Sequence, residues 1–394
     1  MLSGRLNKNN LSNKVKIAHV QLLPLLTGVQ NVTLSELCNL SDNFEKHVIC
    51  QSKGPLTKVC HEQGYKYHTI PSLIRNISPL QDLKSFYHLY KLFKENKFDI
   101  VHTHSSKTGV LGRLAAKLAK VPVIVHTVHG FPFDSTNNKV LRGFYALLEV
   151  AGALVSDKII CLHEDDKNIC IKKLGIRDDK IKVLRNGVDL CRFFPADPSS
   201  KSSIKQELGI DDNQLVVGMI GRLWEQKNPH ALVSSAIDLL KKRNDVVFVF
   251  IGEGELEAEL KLRARAYQQH IRFLGWRNDT ESILRAFDIF CLPSKWEGMP
   301  LAIIEAMASG LPCVVSDIPG NKHLIEHGKN GSLFSLLRET ELTSCLSELL
   351  GNQEVRAEMG RINIEISSEQ HDVVSRTCVL EKLYEQELVN KSKG

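Results

Sequence analysis

The chain has 394 residues, 43% of them hydrophobic and 24% charged, with 51 Lys and Arg against 45 Asp and Glu for a formal net charge of +6. At roughly 100–200 residues per domain this predicts two or three ordinary globular domains, and it excludes a low-complexity or highly charged disordered chain. No apolar run approaches the ~18 residues of a membrane helix. The polar start, Met1–Asn10, lacks a signal-peptide core, so a cytoplasmic protein is expected.

Strand and helix patterns alternate along the whole chain. Val15–Val20, His47–Cys50, Asp99–Thr103, Val121–Val128, Lys158–Leu162 and Lys182–Leu184 read as strands of a first half; Leu215–Ile220, Val246–Ile251, Ile271–Leu274, Asp288–Leu292 and Cys313–Val315 read as strands of a second. With helical stretches between most of them, the rhythm is α/β: two doubly wound, Rossmann-like parallel sheets whose ligands collect at the carboxyl ends of strands. The Pro/Ser-rich stretch Phe193–Ser203 reads as the linker. The first domain is therefore placed at 14–192 and the second at 200–369, with a last helical pattern in 370–394. Neither half carries a Gly-x-Gly-x-x-Gly fingerprint, and Gly252-Glu-Gly254 is too short to count as one.

Charge is unevenly divided. Residues 1–195 hold 28 Lys and Arg against 16 Asp and Glu, a balance of +12, and the remainder holds 23 against 29, a balance of −6. A basic first half suits an anionic surface; no nucleic-acid-binding module is recognisable, so an anionic membrane leaflet is the expected partner. Two helical patterns could present the cations, Lys84–Lys97 with interleaved aromatics, and Gly109–Lys120, where Arg113, Lys117 and Lys120 fall on one face. The alternative for both is a solvated face packed on a sheet.

Four histidines, His102, His104, His126 and His129, fall at or near predicted strand ends. Alternation puts His102 and His104 on one side of a strand, the possible beginning of a zinc site, but the chain has no Asp-x-Asp and no nearby cysteine, and no metal is expected. His129 precedes Gly130-Phe131-Pro132 and reads as a loop residue able to donate a hydrogen bond to a sugar hydroxyl. Of the ten cysteines, Cys50, Cys161, Cys291 and Cys313 lie in apolar runs and read as small buried hydrophobes rather than disulfide or zinc partners.

The most informative stretch is Lys295–Val315. A short helix should begin at Pro300 and stop before Gly310, so its positive end follows Glu297-Gly298-Met299. Glycine permits close backbone approach, and the amides there with the helix dipole favour a diphosphate. A carboxylate beside that anion needs another task, and accepting sugar or ribose hydroxyls is one.

Glu297, Gly298, Met299 and Glu305 resemble, residue by residue, the glutamate-seven-residues-glutamate motif of retaining GT-B glycosyltransferases of family 4. The resemblance implies that Glu297 and the backbone after it, through Pro300 and Leu301, hold the donor sugar and diphosphate, and that Glu305 binds the nucleotide ribose. Leu215–His230 resembles the family's second signature: an apolar strand ends in Gly221-Arg222 and Lys227 follows before Asn228-Pro229, two cations at a strand-to-helix turn that can clamp a diphosphate. Asn228 stands where the family often has glycine, which puts the loop shape in question.

Val101–Phe133 resembles the family's capsule and O-antigen branch, which places His129 beside the donor sugar. Gly28, between the first strand and the next helical pattern, would allow backbone approach to the acceptor or diphosphate, although Thr27, Val29 and Gln30 depart from the family's paired glycines. Arg185–Asp189 resembles an Asn-Gly-Val-Asp turn of low functional weight. The resemblance further implies two domains facing a cleft, a terminal helix returning to the first, no cofactor, and retention of anomeric configuration. The expected donor is a UDP-sugar such as UDP-GalNAc or UDP-GlcNAc. The expected acceptor is a glycan growing on undecaprenyl diphosphate at the inner face of the cytoplasmic membrane, in lipopolysaccharide or capsule synthesis. A nucleotide-sugar epimerase or hydrolase, or a noncatalytic binding partner, are the alternatives.

Overall fold

The computed structural model describes residues 14–393 except 132 and 134–137, and not the side chain of residue 339. The polar start and Pro132 of the His129 loop thus lie outside the described residues. The chain divides into two compact units, 1–184 joined by 377–394, and 185–376.

Unit 1 contains the strands β1 (Val15–Val20), β2 (Phe44–Cys50), β3 (Lys66–Thr69), β4 (Ile100–His104), β5 (Val123–Thr127), β6 (Lys158–Cys161) and β7 (Ile181–Val183). They form one sheet in the order β3-β2-β1-β4-β5-β6-β7, parallel throughout. Its helices are α1 (Gly28–Asn39), α2 (Pro55–Glu62), α3 (Pro79–Asn96), α4 (Ser106–Leu118), α5 (Lys139–Val155) and α6 (Glu164–Lys172). Leu37, Phe44, Leu56 and Val125 pack with Leu380, Leu383 and Tyr384 in one apolar layer, while Phe93, Phe98, Ala115 and Ile124 share another. Helices lie on both faces because strands buried on both sides must be covered on both.

Unit 2 follows the same plan with α7 (Pro198–Glu207), β8 (Leu215–Ile220), α8 (Pro229–Leu240), β9 (Val246–Ile251), α9 (Glu257–Arg263), β10 (Ile271–Phe273), α10 (Thr280–Leu284), β11 (Ile289–Leu292), α11 (Leu301–Ala308), β12 (Cys313–Ser316), α12 (Pro319–Lys322) and β13 (Gly331–Phe334). Then come α13 (Glu339–Gly351), α14 (Gln353–Gln370) and α15 (Val373–Ser392), which enters unit 1 at Thr377. The parallel sheet runs β10-β9-β8-β11-β12-β13. All six residues of β9 are buried, as a continuous Val/Phe/Ile run demands.

The structure corrects several expectations. The division falls after Leu184, not at 192. The supposed linker contains the start of α7: Asp197 accepts hydrogen bonds from the Ser199 and Ser200 amides, and Pro198 occupies the first helical position, so Pro and Ser here cap a helix rather than mark a loop. Gln370 closes α14, and the terminal helix begins at Val373. The α4 face loses one of its three expected cations, while Lys117 and Lys120 stay exposed. Arg113 is buried, with Nη2 2.8 Å from Glu149 and Nε donating to the Gly109 carbonyl, an internal ion pair.

Candidate functional site

In an open parallel sheet the order reverses at one point, and the loops after the two flanking strands diverge there to leave a crevice. In unit 2 that point lies between β8 and β11. The loops leaving these strands are residues 221–228 and 293–300, the two stretches singled out in the sequence.

They are joined to each other. The Lys295 amide donates to the Gln226 carbonyl at 2.7 Å, and Gln226 Nε2 donates to the Trp296 carbonyl at 2.9 Å. Across this seam Lys227 Nζ lies 2.5 Å from Glu297 Oε1, with side chains 18% and 8% exposed. The carboxylate that looked awkward beside an anion site therefore has its own cation. Arg222, on the same loop, is exposed; it pairs with Glu255 at 3.1 Å and its guanidinium lies 4.7 Å from the centre of the Trp224 ring. Such exposed pairs are worth only ~0–1 kcal/mol, so Arg222 can change partner at little cost.

The helix α11 begins one residue later than expected, with Pro300 at its cap and no acidic residue in its first turn. Its leading amides have no helical carbonyl ahead of them. Gly298 and Met299 precede it, Met299 buried and Gly298 partly exposed. Asn186 Nδ2 donates to the Met299 carbonyl at 2.9 Å, so the Asn-Gly turn given little weight in the sequence ties down the loop. Glu305, on the second turn of α11, is partly buried, and burial pushes its carboxyl up to about 7, with Arg192 opposing and Glu281 adding to the shift.

Two glycines missed as functional support explain the loop shape. A side chain at Gly252, whose φ is +125°, would sit 2.2 Å from the Gly221 carbonyl oxygen, and one at Gly320 would sit 2.3 Å from that of Gly298. Each lets a neighbouring segment press against a site loop. Gly252-Glu-Gly254 is thus no dinucleotide fingerprint but a packing surface for residues 221–223. Asn228 resolves the question about its loop: it adopts φ +49° and ψ +49°, the left-handed conformation that asparagine tolerates better than most side chains.

In unit 1 the switch point lies between β1 and β4. Gly28 is the first residue of α1 there, exposed, with open space where a side chain would be. His129, two residues past β5, is half-buried, whereas His102, His104 and His126 are buried. His102 bonds Tyr384 Oη at 2.6 Å and Thr127 Oγ1 at 2.7 Å, anchoring the returning α15, and His126 bonds Thr103 Oγ1 at 2.9 Å. His19 and Glu36, which no local pattern singles out, join them. Ligand-type atoms of His19, Glu36, His102 and His104 all lie within 4.8 Å of one another.

A doubly wound sheet with Arg222, Lys227 and the leading amides of α11 at its switch point has the arrangement of an α/β protein that binds an anionic ligand there. Two family profiles match: "Glycosyltransferase Family 4" over residues 26–192 and "Glycosyl transferases group 1" over residues 200–365. An Escherichia coli UDP-Gal:alpha-D-GlcNAc-diphosphoundecaprenol alpha-1,3-galactosyltransferase is 47% identical, covering 82% of this chain and 85% of that protein. A Campylobacter jejuni N,N'-diacetylbacillosaminyl-diphospho-undecaprenol alpha-1,3-N-acetylgalactosaminyltransferase is 26% identical over 82% of this chain and 86% of its own. Among solved structures, Anabaena Alr3699/HepE in complex with UDP and glucose matches with a TM-score of 0.80 at 21% identity, covering 94% of this chain and all of that one, a likeness of fold. The chain belongs to the GT-B glycosyltransferases of family 4 and is a hexosyltransferase.

Proposed function

We propose that this enzyme transfers galactose from UDP-galactose to a GlcNAc residue carried on undecaprenyl diphosphate, forming an α-1,3 bond in bacterial O-antigen synthesis. The observation that carries this reading is the 47% identity to the E. coli galactosyltransferase across four-fifths of the chain. Of the hexosyl and N-acetylhexosaminyl donors left open by the sequence, that relative favours a hexosyl. An α-linked product from an α-configured UDP-hexose keeps the anomeric configuration, so transfer is retaining.

As the bond to the anomeric carbon breaks, negative charge grows on the departing diphosphate. Lys227, Arg222 and the amides of Gly298, Met299 and Leu301 receive it in this reading, preorganised donors that need no metal ion. Glu297, beside Lys227, accepts sugar hydroxyls, and Glu305 accepts those of ribose; these roles, with those of His129 and Gly28 at donor sugar and diphosphate, rest on the family resemblance. The test is product analysis by mass spectrometry with UDP-Gal, UDP-Glc, UDP-GalNAc and UDP-GlcNAc against GlcNAc-diphospholipid. Transfer only from UDP-Gal is expected. Transfer only from an N-acetylhexosamine donor overturns the donor assignment, and sugar release indifferent to acceptor points to a hydrolase.

The acceptor's lipid calls for a peripheral location on the inner leaflet. No helix among the described residues is long and apolar enough to cross a membrane. Unit 1 supports docking through α3, where Leu80, Leu83 and Tyr87 stand exposed after Ile77, alongside exposed Lys84 and Lys91. Apolar side chains among lysines suit a headgroup boundary. Sedimentation with phosphatidylglycerol vesicles is expected to weaken at high salt and to be lost in a Leu80→Glu/Leu83→Glu variant. Salt-independent partition unchanged by that variant sinks the docking surface.

A further inference from the structure

The buried polar cluster under His129 runs across three adjacent strands at their carboxyl ends. His19 sits on β1, His104 ends β4, and His129 follows β5. His19 Nδ1 lies 2.9 Å from His104 Nε2, and His104 Nδ1 lies 3.2 Å from His129 Nε2. Imidazoles can transmit a hydrogen bond in either direction, so the contacts alone leave open which nitrogen of His129 carries its proton.

Two amide side chains give the run a direction, because an amide oxygen only accepts and an amide nitrogen only donates. Thr27 Oγ1 donates to Gln30 Oε1; Gln30 Nε2 donates to Gln21 Oε1 at 3.4 Å; Gln21 Nε2 donates to Thr33 Oγ1. With its oxygen accepting from Gln21, the Thr33 hydroxyl has its proton to give, and His104 Nε2 lies 3.4 Å away. A Glu36 carboxyl oxygen 4.0 Å from His19 Nδ1 favours a proton on that nitrogen too, which then points at the same His104 Nε2. Both contacts are met when His104 Nε2 accepts. Burial, then the neighbouring histidines, hold its pKa well below the ordinary value, so the ring is neutral with one proton, on Nδ1.

We infer that the chain Thr27–Gln30–Gln21–Thr33–His104 is a one-way hydrogen-bond relay that fixes His129 as its Nδ1–H tautomer, making His104 the positioning residue that presents His129 as a donor to the sugar. The presentation to sugar rests on the reading of His129 above; the tautomer does not. A metal held by His19, Glu36, His102 and His104 is the competing use of these groups. Against it, both ring nitrogens of His102 are engaged by hydroxyls at 2.6 and 2.7 Å.

Ring nitrogen-15 NMR of the whole protein reads the tautomer directly, with His129→Gln assigning its signals. His129 Nδ1 is expected to be protonated and Nε2 unprotonated at neutral pH; the reverse pattern, or a stoichiometric metal removable by chelator with a shift in His104, overturns the inference. Two replacements separate orientation from packing. His104→Asn puts an amide near the position of Nδ1 and can still donate to His129, whereas His104→Gln puts it near Nε2 and cannot. His104→Gln is expected to lower kcat by roughly ten- to a hundredfold, as loss of an orienting partner does, with KM for UDP-galactose within about threefold, while His104→Asn retains most of kcat. Equal losses in the two variants, or none in either, would also overturn it. His129→Ala with unimpaired transfer would instead remove the sugar contact and leave the NMR result standing.

Discussion

Replacing Lys227 with alanine is expected to lower kcat/KM by about a hundred- to a thousandfold, the range for removing one preorganised donor from a developing anion. The variant loses more than a charge near the diphosphate. Lys227 Nζ is the cation on Glu297, whose side chain is only 8% exposed, and without it that carboxylate faces an incoming dianion with the Gln226 amide at 3.5 Å as its remaining neighbour. Part of the loss is therefore repulsion, and Glu297→Gln should relieve it. In a Lys227→Ala/Glu297→Gln double variant the combined loss is expected to fall well short of the product of the single losses, as coupled neighbours do. Circular dichroism should show an intact fold, since the loops are also joined through the Gln226 and Lys295 backbone. Activity of Lys227→Ala within about threefold of wild type would remove the donor-site assignment.

How legible this was in sequence depended on what each residue's neighbours are. β1, β8 and β9 have the expected bounds because mainly apolar runs buried over most of their length are their own signal. The edge strand β3, Lys-Tyr-His-Thr with its end residues exposed, has no such run, and β13 opens on Gly331-Ser332, poor strand formers held by pairing with β12. Glu297 and Lys227 were legible as members of two motifs, but their ion pair spans 70 residues and no spacing reveals it. Arg113 shows the converse. Helical periodicity grouped it with Lys117, which is exposed, yet the Glu149 that draws Arg113 inside is 36 residues on. Gly252, Gly320 and Asn186 act by allowing or making contact with distant backbone, and a lone His19 within an apolar strand looks like any other interruption. Local patterns report faces; they do not report what a face meets.

Glutamine in place of Glu305 is expected to weaken UDP binding while making the protein more stable above neutral pH, a pair of opposite signs that a packing role does not produce. In the free protein burial raises the Glu305 carboxyl from about 4.5 to about 7, so near neutral pH it is half protonated. Under the proposed role, ribose hydroxyls donating to it would favour the ionised form and bring the pKa down in the complex. Affinity should then rise with pH, about tenfold per unit below 7, and level off above it. The terminal phosphate of UDP also titrates, near about 6, so the contribution of Glu305 is the difference between wild type and Glu305→Gln, which should vanish as pH falls through the complex's pKa. Stability runs the other way. A carboxyl whose folded pKa lies above its unfolded one favours folding most when protonated, below about 4.5, and loses that advantage as pH rises to 7. At 1.36 kcal/mol per unit the burden above pH 7 is on the order of 3 kcal/mol. Glutamine, neutral at every pH, escapes it, so thermal unfolding at pH 8 should show the variant melting higher. A variant that melts lower at pH 8, or binds UDP as tightly as wild type across the range, would mean that Glu305 is held in α11 for packing, and the ribose would have to find its acceptor elsewhere in the crevice between β8 and β11.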